Sequence, residues 1–365
     1  MTRRYIYRST HNLDAHGHGG NRRLAQIVEL LRREMPTLEV ECDKFSGGMM
    51  IDIKSILSGF AWMSRTGLSS FFHPKALRNV GVARAMSRRQ QFGPDTIAFF
   101  DAYLMGYVSL FREIRRRGGR VVLFPQNLDS LTPGTVSPLS GRVAPAWMAE
   151  EIAALREADL ICTISREEQW LLSIFGIESL YLPFYPTSDV RASLSAIRAQ
   201  RAICPNFDKV LIIGSVGNLP TMRGMKILIE HAHAIVEASS GREVVLVGYG
   251  TEILAATDLP KKFRILGGVS TDVMDNCLAT SAVCLCFQPG TSGALTRIPE
   301  LLCAGVPVIA NYVAARSYQN LPGVLIVETM DQLVRCLRNF DPAPFDPPAP
   351  PIELESELQA ALRRL

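Results

Sequence analysis

The sequence lacks the features that would assign it to several common protein classes. No apolar run approaches the length needed to span a bilayer, and the first eight residues, MTRRYIYR, are too polar for a signal peptide. The eight cysteines show no spacing typical of metal ligands, and several lie within apolar runs. We therefore expect a cytoplasmic protein with reduced, buried thiols, attached at most to the inner face of a membrane.

Motifs of two other kinds of site are missing or incomplete. No Asp-x-Asp pair is present to hold Mg²⁺ or Mn²⁺. Gly-rich turns occur at 214–217 and 248–250, but neither completes the G-x-G-x-x-G pattern of a dinucleotide site. His11, His16 and His18 have no cysteine or carboxylate partner at ligand spacing, which favours loop residues near the donor over a metal site.

Acidic residues are missing from residues 53–94, a stretch with seven lysines and arginines and many large apolar side chains. This mixture is typical of contact with an anionic membrane surface or a lipid-linked phosphate. A solvated basic face around ordinary core residues remains the alternative. The candidates for membrane or acceptor contact are Lys54, Trp62, Arg65, Arg78, Arg88 and Arg89.

Apolar runs alternate with amphipathic segments along all 365 residues, which predicts parallel strands joined by helices. The length and the Pro-rich punctuation at 183–189 favour two α/β domains, 1–185 and 186–340, followed by a Pro-rich spacer and terminal helix at 341–365. One helix is predicted to carry Met225, Leu228, Ala232 and Ile235 on one face. The predicted strands are 5–8, 38–42, 96–100, 120–124, 160–163, 179–182, 210–214, 243–248, 263–266, 282–287, 306–310 and 323–327.

The segment from Ser292 to Ala310 is the most informative in the chain. Pro299 cannot donate a backbone hydrogen bond, so a short helix should begin only a few residues before it. The amides near Gly293 to Arg297 and the Arg297 charge then suit a diphosphate. Glu300, one turn further on, can accept from sugar hydroxyls. This pattern predicts a nucleotide-sugar site.

The chain also resembles bacterial glycosyltransferases of the GT-B architecture, in particular family 4 (group 1), over nearly its whole length. The resemblance implies two Rossmann-like domains with a cleft between them, with the acceptor on the first domain and the nucleotide sugar on the second. Four stretches carry it in the right order, namely Gly19-Gly20, residues 157–165, Ile213-Gly214-Ser215 with Arg223-Gly224, and residues 299–309.

The resemblance also implies roles for individual residues. It implies that Gly19 and Gly20 approach the donor phosphates, and that Arg223 and Arg297 neutralise the leaving diphosphate. Glu300 matches the second carboxylate of the family's Glu-x7-Glu motif, while Ser292 replaces the first. Gln126 stands where many relatives carry histidine. The predicted donor-binding residues are Gly19, Gly20, Gly214, Ser215, Arg223, Ser292, Gly293, Ala294, Thr296, Arg297 and Glu300.

The resulting hypothesis is an enzyme that transfers a sugar from a donor such as a UDP- or GDP-sugar to a glycan or lipid-linked acceptor in polysaccharide or glycoconjugate synthesis. The resemblance implies retention of configuration, and no metal or nucleic acid is expected. The predicted catalytic residues are Arg223, Arg297 and Glu300; an inverting reaction would need a base, for which the candidates are Asp14, Asp101, Asp129 and His18. A nucleotide-sugar epimerase and an inactive assembly scaffold are the alternatives.

Overall fold

The computed structural model describes residues 3–14, 16–43, 57, 92–103, 107–137, 140–203, 205–255 and 258–365. The chain forms two compact units, one of residues 1–183 with 351–365 and the other of residues 184–350. Within the described residues, every helix is too short or too polar to cross a bilayer. The six candidates for membrane or acceptor contact, from Lys54 to Arg89, lie outside the described residues.

The first unit contains a six-stranded parallel sheet in the order β2-β1-β3-β4-β5-β6. Its strands are β1 (Arg4–Ser9), β2 (Glu39–Cys42), β3 (Thr96–Phe100), β4 (Arg120–Leu123), β5 (Leu160–Thr163) and β6 (Leu180–Tyr181). Its helices are α1 (Gly19–Glu34), α2 (Tyr107–Arg116), α3 (Met148–Leu155), α4 (Arg166–Ile174) and, at the end of the chain, α12 (Ile352–Arg363). A 3-10 turn covers Asp129–Leu131.

Helix α1 explains how one face of this sheet is covered. Leu24, Ile27 and Leu31 recur at helical spacing and are fully or almost fully buried against the strands. Leu358 and Leu362 of α12 join the same apolar cluster, so the terminal helix belongs to the first unit. Burial of this apolar stripe is the main force that holds both helices on the sheet.

The second unit repeats the architecture with the strand order β12-β11-β10-β7-β8-β9, again parallel throughout. Its strands are β7 (Lys209–Ile213), β8 (Glu243–Val247), β9 (Phe263–Gly267), β10 (Ser281–Cys286), β11 (Val308–Asn311) and β12 (Val324–Val327). Its helices are α5 (Ser188–Ile203), α6 (Leu219–Glu230), α7 (Ala232–Ala238), α8 (Thr271–Thr280), α9 (Arg297–Cys303), α10 (Tyr312–Ala315) and α11 (Met330–Arg338). The predicted α/β fold of two Rossmann-like units is confirmed.

Two predicted elements differ from those found. The single helix predicted from Met225 to Ile235 is two helices, because the His231 backbone leaves the helical region and its Nδ1 bonds the Ile227 carbonyl at 2.9 Å. The strand predicted to begin at Val306 begins at Val308. The amides of Gly305 and Val306 instead bond back to Leu302 and Leu301, which ends helix α9.

Two arginines of helix α5 bind the carboxyl ends of α8 and α9. The guanidinium of Arg201 donates to the carbonyls of Leu278, Ala279, Ser281 and Gly305, at 2.6 to 3.2 Å. Arg198 donates to the carbonyls of Leu302, Cys303 and Phe345. Carbonyls at the end of a helix lack amide partners within that helix, so a cation that donates to several of them replaces the missing hydrogen bonds.

We expect Arg201→Leu to lower the free energy of unfolding by about 3 kcal/mol or more, because it leaves buried carbonyls without donors. Chemical denaturation followed by far-UV circular dichroism measures this change. All three tryptophans lie in residues 62–170, so tryptophan fluorescence reports on the first unit and separates its transition from the second. Arg335→Leu, at an exposed arginine of α11, serves as the control, and an equal loss in both variants would contradict the role of Arg201.

Candidate functional site

The strand order of the second unit places a switch point between β7 and β10. From β7 the chain proceeds outward through β8 and β9, then returns to the other side of β7 with β10. The connections therefore leave the carboxyl ends of these two neighbouring strands in opposite directions. In open parallel sheets the crevice at such a point is the usual ligand site.

Glycines let the backbone approach closely at this crevice. A Cβ on Gly224 of α6 would lie 1.6 Å from the Phe287 carbonyl oxygen at the end of β10. A Cβ on Gly248 would lie 1.8 Å from the Gly214 carbonyl oxygen, and Gly248 has a φ of +141°. Any other residue at either position would push the helix or the neighbouring turn away from the sheet.

Arg297, the first residue of α9, reaches across the switch point. Its Nη1 donates to the Ile213 carbonyl at the end of β7, and its Nη2 donates to the Thr221 hydroxyl of α6 at 3.0 Å. The side chain is half-buried, and both bonds hold the guanidinium at the carboxyl edge of the sheet. The Arg297 charge is therefore held in a fixed position by the fold.

The other predicted donor-side residues lie on the segments around this crevice. Gly214 packs against Thr221, whose Cγ2 would lie 2.6 Å from a Cβ at that glycine, and the Ser215 hydroxyl accepts from the Gly217 amide at 3.3 Å. Arg223 is half-buried on α6, one residue before Gly224. Ser292, Gly293, Ala294 and Thr296 form the turn before α9, and Glu300 is buried within that helix.

The candidate site of the second unit also contains residues that were not predicted from the sequence. Gln288 follows β10, Asn311 is the last residue of β11, and both are buried. The Gln288 amide donates to Asn311 Oδ1 at 2.9 Å, and Asn311 Nδ2 donates to the Gln288 carbonyl at 2.7 Å. Gln288 Nε2 also donates to the Thr221 hydroxyl at 3.4 Å. The sequence feature that could have identified these two residues is a polar side chain at the end of a buried apolar strand. Arg316 was missed as well, and its guanidinium donates to the Gly293 carbonyl.

The first unit has its own switch point, between β1 and β3. Ser9 ends β1 and Asp101 follows β3, and the Ser9 hydroxyl donates to Asp101 Oδ2 across the two strands. Asp101 is 4% exposed, and its Oδ1 is buried without a hydrogen-bond partner in the described residues. Burial raises the pKa of Asp101 to about 7.

The loop between β1 and α1 is attached to this pair. The His11 amide donates to the Ser9 hydroxyl at 2.9 Å, and the His11 ring lies so close to Gly20 that a Cβ there would be 2.6 Å from it. His18 caps α1 by accepting from the Gly20 amide at 3.2 Å, and its ring meets His11 edge-on at a centroid distance of 5.1 Å. Gly19 begins the helix.

The other two acidic residues among the candidate bases, Asp14 and Asp129, do not join this pair. Asp14 is exposed and accepts from the His16 amide at 2.9 Å. Asp129 is exposed as well, where its carboxylate accepts from the Asn127 side chain and its amide donates to Glu151 at 2.7 Å. Among the described residues, no group of three or more histidine, cysteine, aspartate or glutamate side chains could hold a metal ion.

The raised pKa of Asp101 predicts a pH-dependent stability that Asp101→Asn removes. A carboxyl group with a pKa near 3.9 when unfolded and about 7 when folded stabilises the protein below pH 4, and this stabilisation is lost as pH rises through 7. The unfolding free energy of Asp101→Asn, relative to the unsubstituted chain, should thus rise by up to about 4 kcal/mol between pH 4 and pH 8. Urea denaturation followed by tryptophan fluorescence measures it. Glu151, whose pKa burial also raises to about 7, cancels in the comparison.

Asp14→Asn is the control for that measurement, because this carboxylate is exposed and its removal leaves the Ser9–Asp101 pair in place. A flat difference for Asp101→Asn would mean that the Asp101 carboxyl group is ionised over this pH range in the folded protein.

The sequence of the second unit matches a known family. Residues 210–339 match the model of Glycosyl transferases group 1, a span from β7 through α11 that includes the Arg297 crevice. A comparison with curated protein sequences gives no match.

Solved structures resemble the whole chain in fold at low sequence identity. Anabaena Alr3699/HepE in complex with UDP and glucose has a TM-score of 0.58 and 12% identity, covering 99% of this chain and 100% of that one. Sucrose-phosphate synthase from Thermosynechococcus elongatus has a TM-score of 0.59 and 16% identity, covering 100% of this chain and 95% of that one. An Escherichia coli trehalose-6-phosphate protein bound with UDP-2-fluoro glucose has a TM-score of 0.60 and 10% identity, covering 99% and 96%. The second unit thus carries a segment that matches the group 1 glycosyltransferases, and the whole chain shares the GT-B fold with these solved structures.

Proposed function

We propose that the chain transfers a hexose-type sugar from a nucleoside-diphosphate sugar to a glycan or lipid-linked acceptor, with retention of configuration and without a metal ion. The donor diphosphate would lie at the switch point of the second unit, against Arg297. The single observation that carries the proposal is the position of this guanidinium across the ends of β7 and α6.

The electrostatics of the crevice support a diphosphate leaving group. The guanidinium of Arg297 is fixed before any ligand arrives, and Arg223 stands on the neighbouring helix. When the bond between the anomeric carbon and the diphosphate oxygen breaks, the electron pair stays with the diphosphate and negative charge increases there. A preorganised cation stabilises that charge more strongly in the transition state than in the ground state.

The remaining bonds of the step follow from the same chemistry. The acceptor oxygen forms the new bond to the anomeric carbon, and in a retaining reaction its proton passes to the departing diphosphate oxygen. Arginine can supply the neutralising charge that a divalent cation supplies in other transferases. Glu300, buried in the first turns of α9, would accept from the ribose hydroxyls.

UDP is our first choice of nucleotide for experiments. Anabaena HepE was solved with UDP and glucose, and the E. coli trehalose-6-phosphate protein was solved with UDP-2-fluoro glucose. Both share the fold of this chain, and their ligands are uridine nucleotides or sugar. UDP-glucose is therefore the donor probe, with GDP-mannose as the alternative base and sugar.

The basic, apolar stretch at 53–94 supports the acceptor side of the proposal. Its lack of acidic residues suits a lipid-linked phosphate or an anionic surface on the inner face of the membrane. Synthesis of a polysaccharide or glycoconjugate on a lipid carrier would need such a surface. The composition of this stretch supports an acceptor bound to the first unit.

Binding of UDP provides the test of the donor site. Arg297→Ala and Glu300→Ala should each weaken UDP binding at least tenfold in isothermal titration calorimetry, because they remove a charged partner of the phosphates and an acceptor for the ribose. Arg335→Ala, at an exposed arginine of the same unit, should leave the affinity unchanged, and 5 mM EDTA should have no effect on the unsubstituted chain.

Unchanged UDP affinity in folded Arg297→Ala and Glu300→Ala would place the nucleotide elsewhere. Product analysis with UDP-glucose then separates the alternatives, because a transferase releases UDP and a new glycoside or glucose. An epimerase interconverts the sugar, and a scaffold does neither.

Vesicle binding tests the membrane part of the proposal. The full chain should sediment with vesicles containing 30% phosphatidylglycerol and remain free with phosphatidylcholine alone. Arg88→Glu combined with Arg89→Glu should lower the bound fraction about tenfold or more, since each cation near an anionic surface contributes about 1 kcal/mol. Lys261→Glu combined with Arg335→Glu makes the same charge change at exposed positions of the second unit. An equal loss of vesicle binding in that variant would show that binding depends on net charge and not on Arg88 and Arg89.

A further inference from the structure

The two buried or half-buried groups at the switch point of the first unit have no role in donor binding as proposed. Asp101 is almost fully buried, and one of its two carboxyl oxygens has no hydrogen-bond partner in the described residues. The His11 ring is half-buried, and no described residue hydrogen-bonds to either of its nitrogens. Buried polar atoms are nearly always satisfied in folded proteins, so the unpaired Asp101 Oδ1 indicates a position that a ligand or water completes, and the half-buried His11 ring beside it is open to such a ligand.

A chain of hydrogen bonds fixes the position of His11. The Asp101 carboxyl group accepts from the Ser9 hydroxyl, and the Ser9 oxygen in turn accepts from the His11 amide at 2.9 Å. Gly20 leaves room for the ring on its other side, where a Cβ would lie 2.6 Å from it. Three segments of the unit thus hold one imidazole at the carboxyl edge of the sheet.

We propose that the His11 ring receives the acceptor hydroxyl and orients it by accepting its hydrogen bond, while Ser9 and Asp101 position the ring. The inference rests on the proposed function, because it assigns the acceptor side of the same transfer reaction. Parallel sheets bind their ligands at such a switch point, so the location is the expected one for a substrate of this unit.

The charge state of His11 decides between orienting the hydroxyl and removing its proton. Burial, together with the neighbouring His18 ring, lowers the pKa of His11 to about 4, so the ring is neutral at pH 7. A group of such low basicity is a poor proton acceptor for catalysis near neutral pH, where an effective base has a pKa close to the working pH. The titratable groups that face it are His18 across the ring contact and Asp101 behind Ser9.

The test uses the full chain with UDP-glucose as the donor and octyl β-glucoside as the acceptor probe, with hydrolysis by water measured in parallel. His11→Leu should raise the KM for octyl β-glucoside about tenfold and lower hydrolysis by a similar factor. His11→Gln keeps a hydrogen-bond acceptor and should restore most of both. His16→Leu, at an exposed histidine of the same loop, is the control and should behave as the unsubstituted chain.

UDP affinity and the pH profile separate the possible failures. All these variants should bind UDP as the unsubstituted chain does, and the pH profile of His11→Leu between pH 5.5 and 8 should keep its shape, because the ring is neutral throughout. Unchanged KM and hydrolysis in His11→Leu would overturn the inference and leave the donor proposal intact. Loss of one limb of the profile would instead identify a proton-transferring base and overturn the orienting role. If the unsubstituted chain neither binds UDP nor turns over UDP-glucose, the proposed function fails, and this inference fails with it.

Discussion

The hydrogen bonds of Arg297 to β7 and α6 join segments that are far apart in sequence at the switch point of the second sheet. Close packing at Gly224 and Gly248 brings α6 and the turn after β8 directly onto neighbouring backbone at this point. The cation is therefore fixed by the fold itself rather than by a ligand. A preorganised charge of this kind loses little conformational entropy when an anion binds, which is the condition for effective stabilisation of a leaving group.

The first unit arranges its switch point with different chemistry. In the second unit the crevice holds a fixed cation, whereas in the first it holds the Ser9–Asp101 pair and a neutral imidazole. The contrast matches the two substrates of the proposed transfer. A diphosphate carries charge that increases during reaction, while an acceptor hydroxyl is neutral and needs only a hydrogen bond in a defined direction. The same sheet topology thus supports both tasks, with the difference made by the residues that follow β1, β3, β7 and β10.

Much of the fold could be predicted from the sequence, because apolar strands such as 96–100 and 160–163 are local signals. The break at His231 could not, since it depends on one side chain bonding its own helix. For the candidate site, Arg297 was predicted from the residues around Pro299, and Arg223 from the resemblance to a known family. The partners of Arg297, and the pairing of Gln288 with Asn311, depend on which strands become neighbours. Asp101 was only one of several possible bases, because its burial and its bond to Ser9 arise from contacts 92 residues apart.

Helix α9 shows why the proposed donor site depends on residues distant from it. It has seven residues, which is too short for a helix to be stable alone in water. Arg297 attaches its first residue to β7 and α6, and Arg198 of helix α5 binds the carbonyls of Leu302 and Cys303 at its other end. Since Arg198 also binds Phe345 of the Pro-rich segment, the position of helix α9 is coupled to the chain segments near both ends of the second unit. Substitutions in α5 should therefore alter donor binding without contacting the donor.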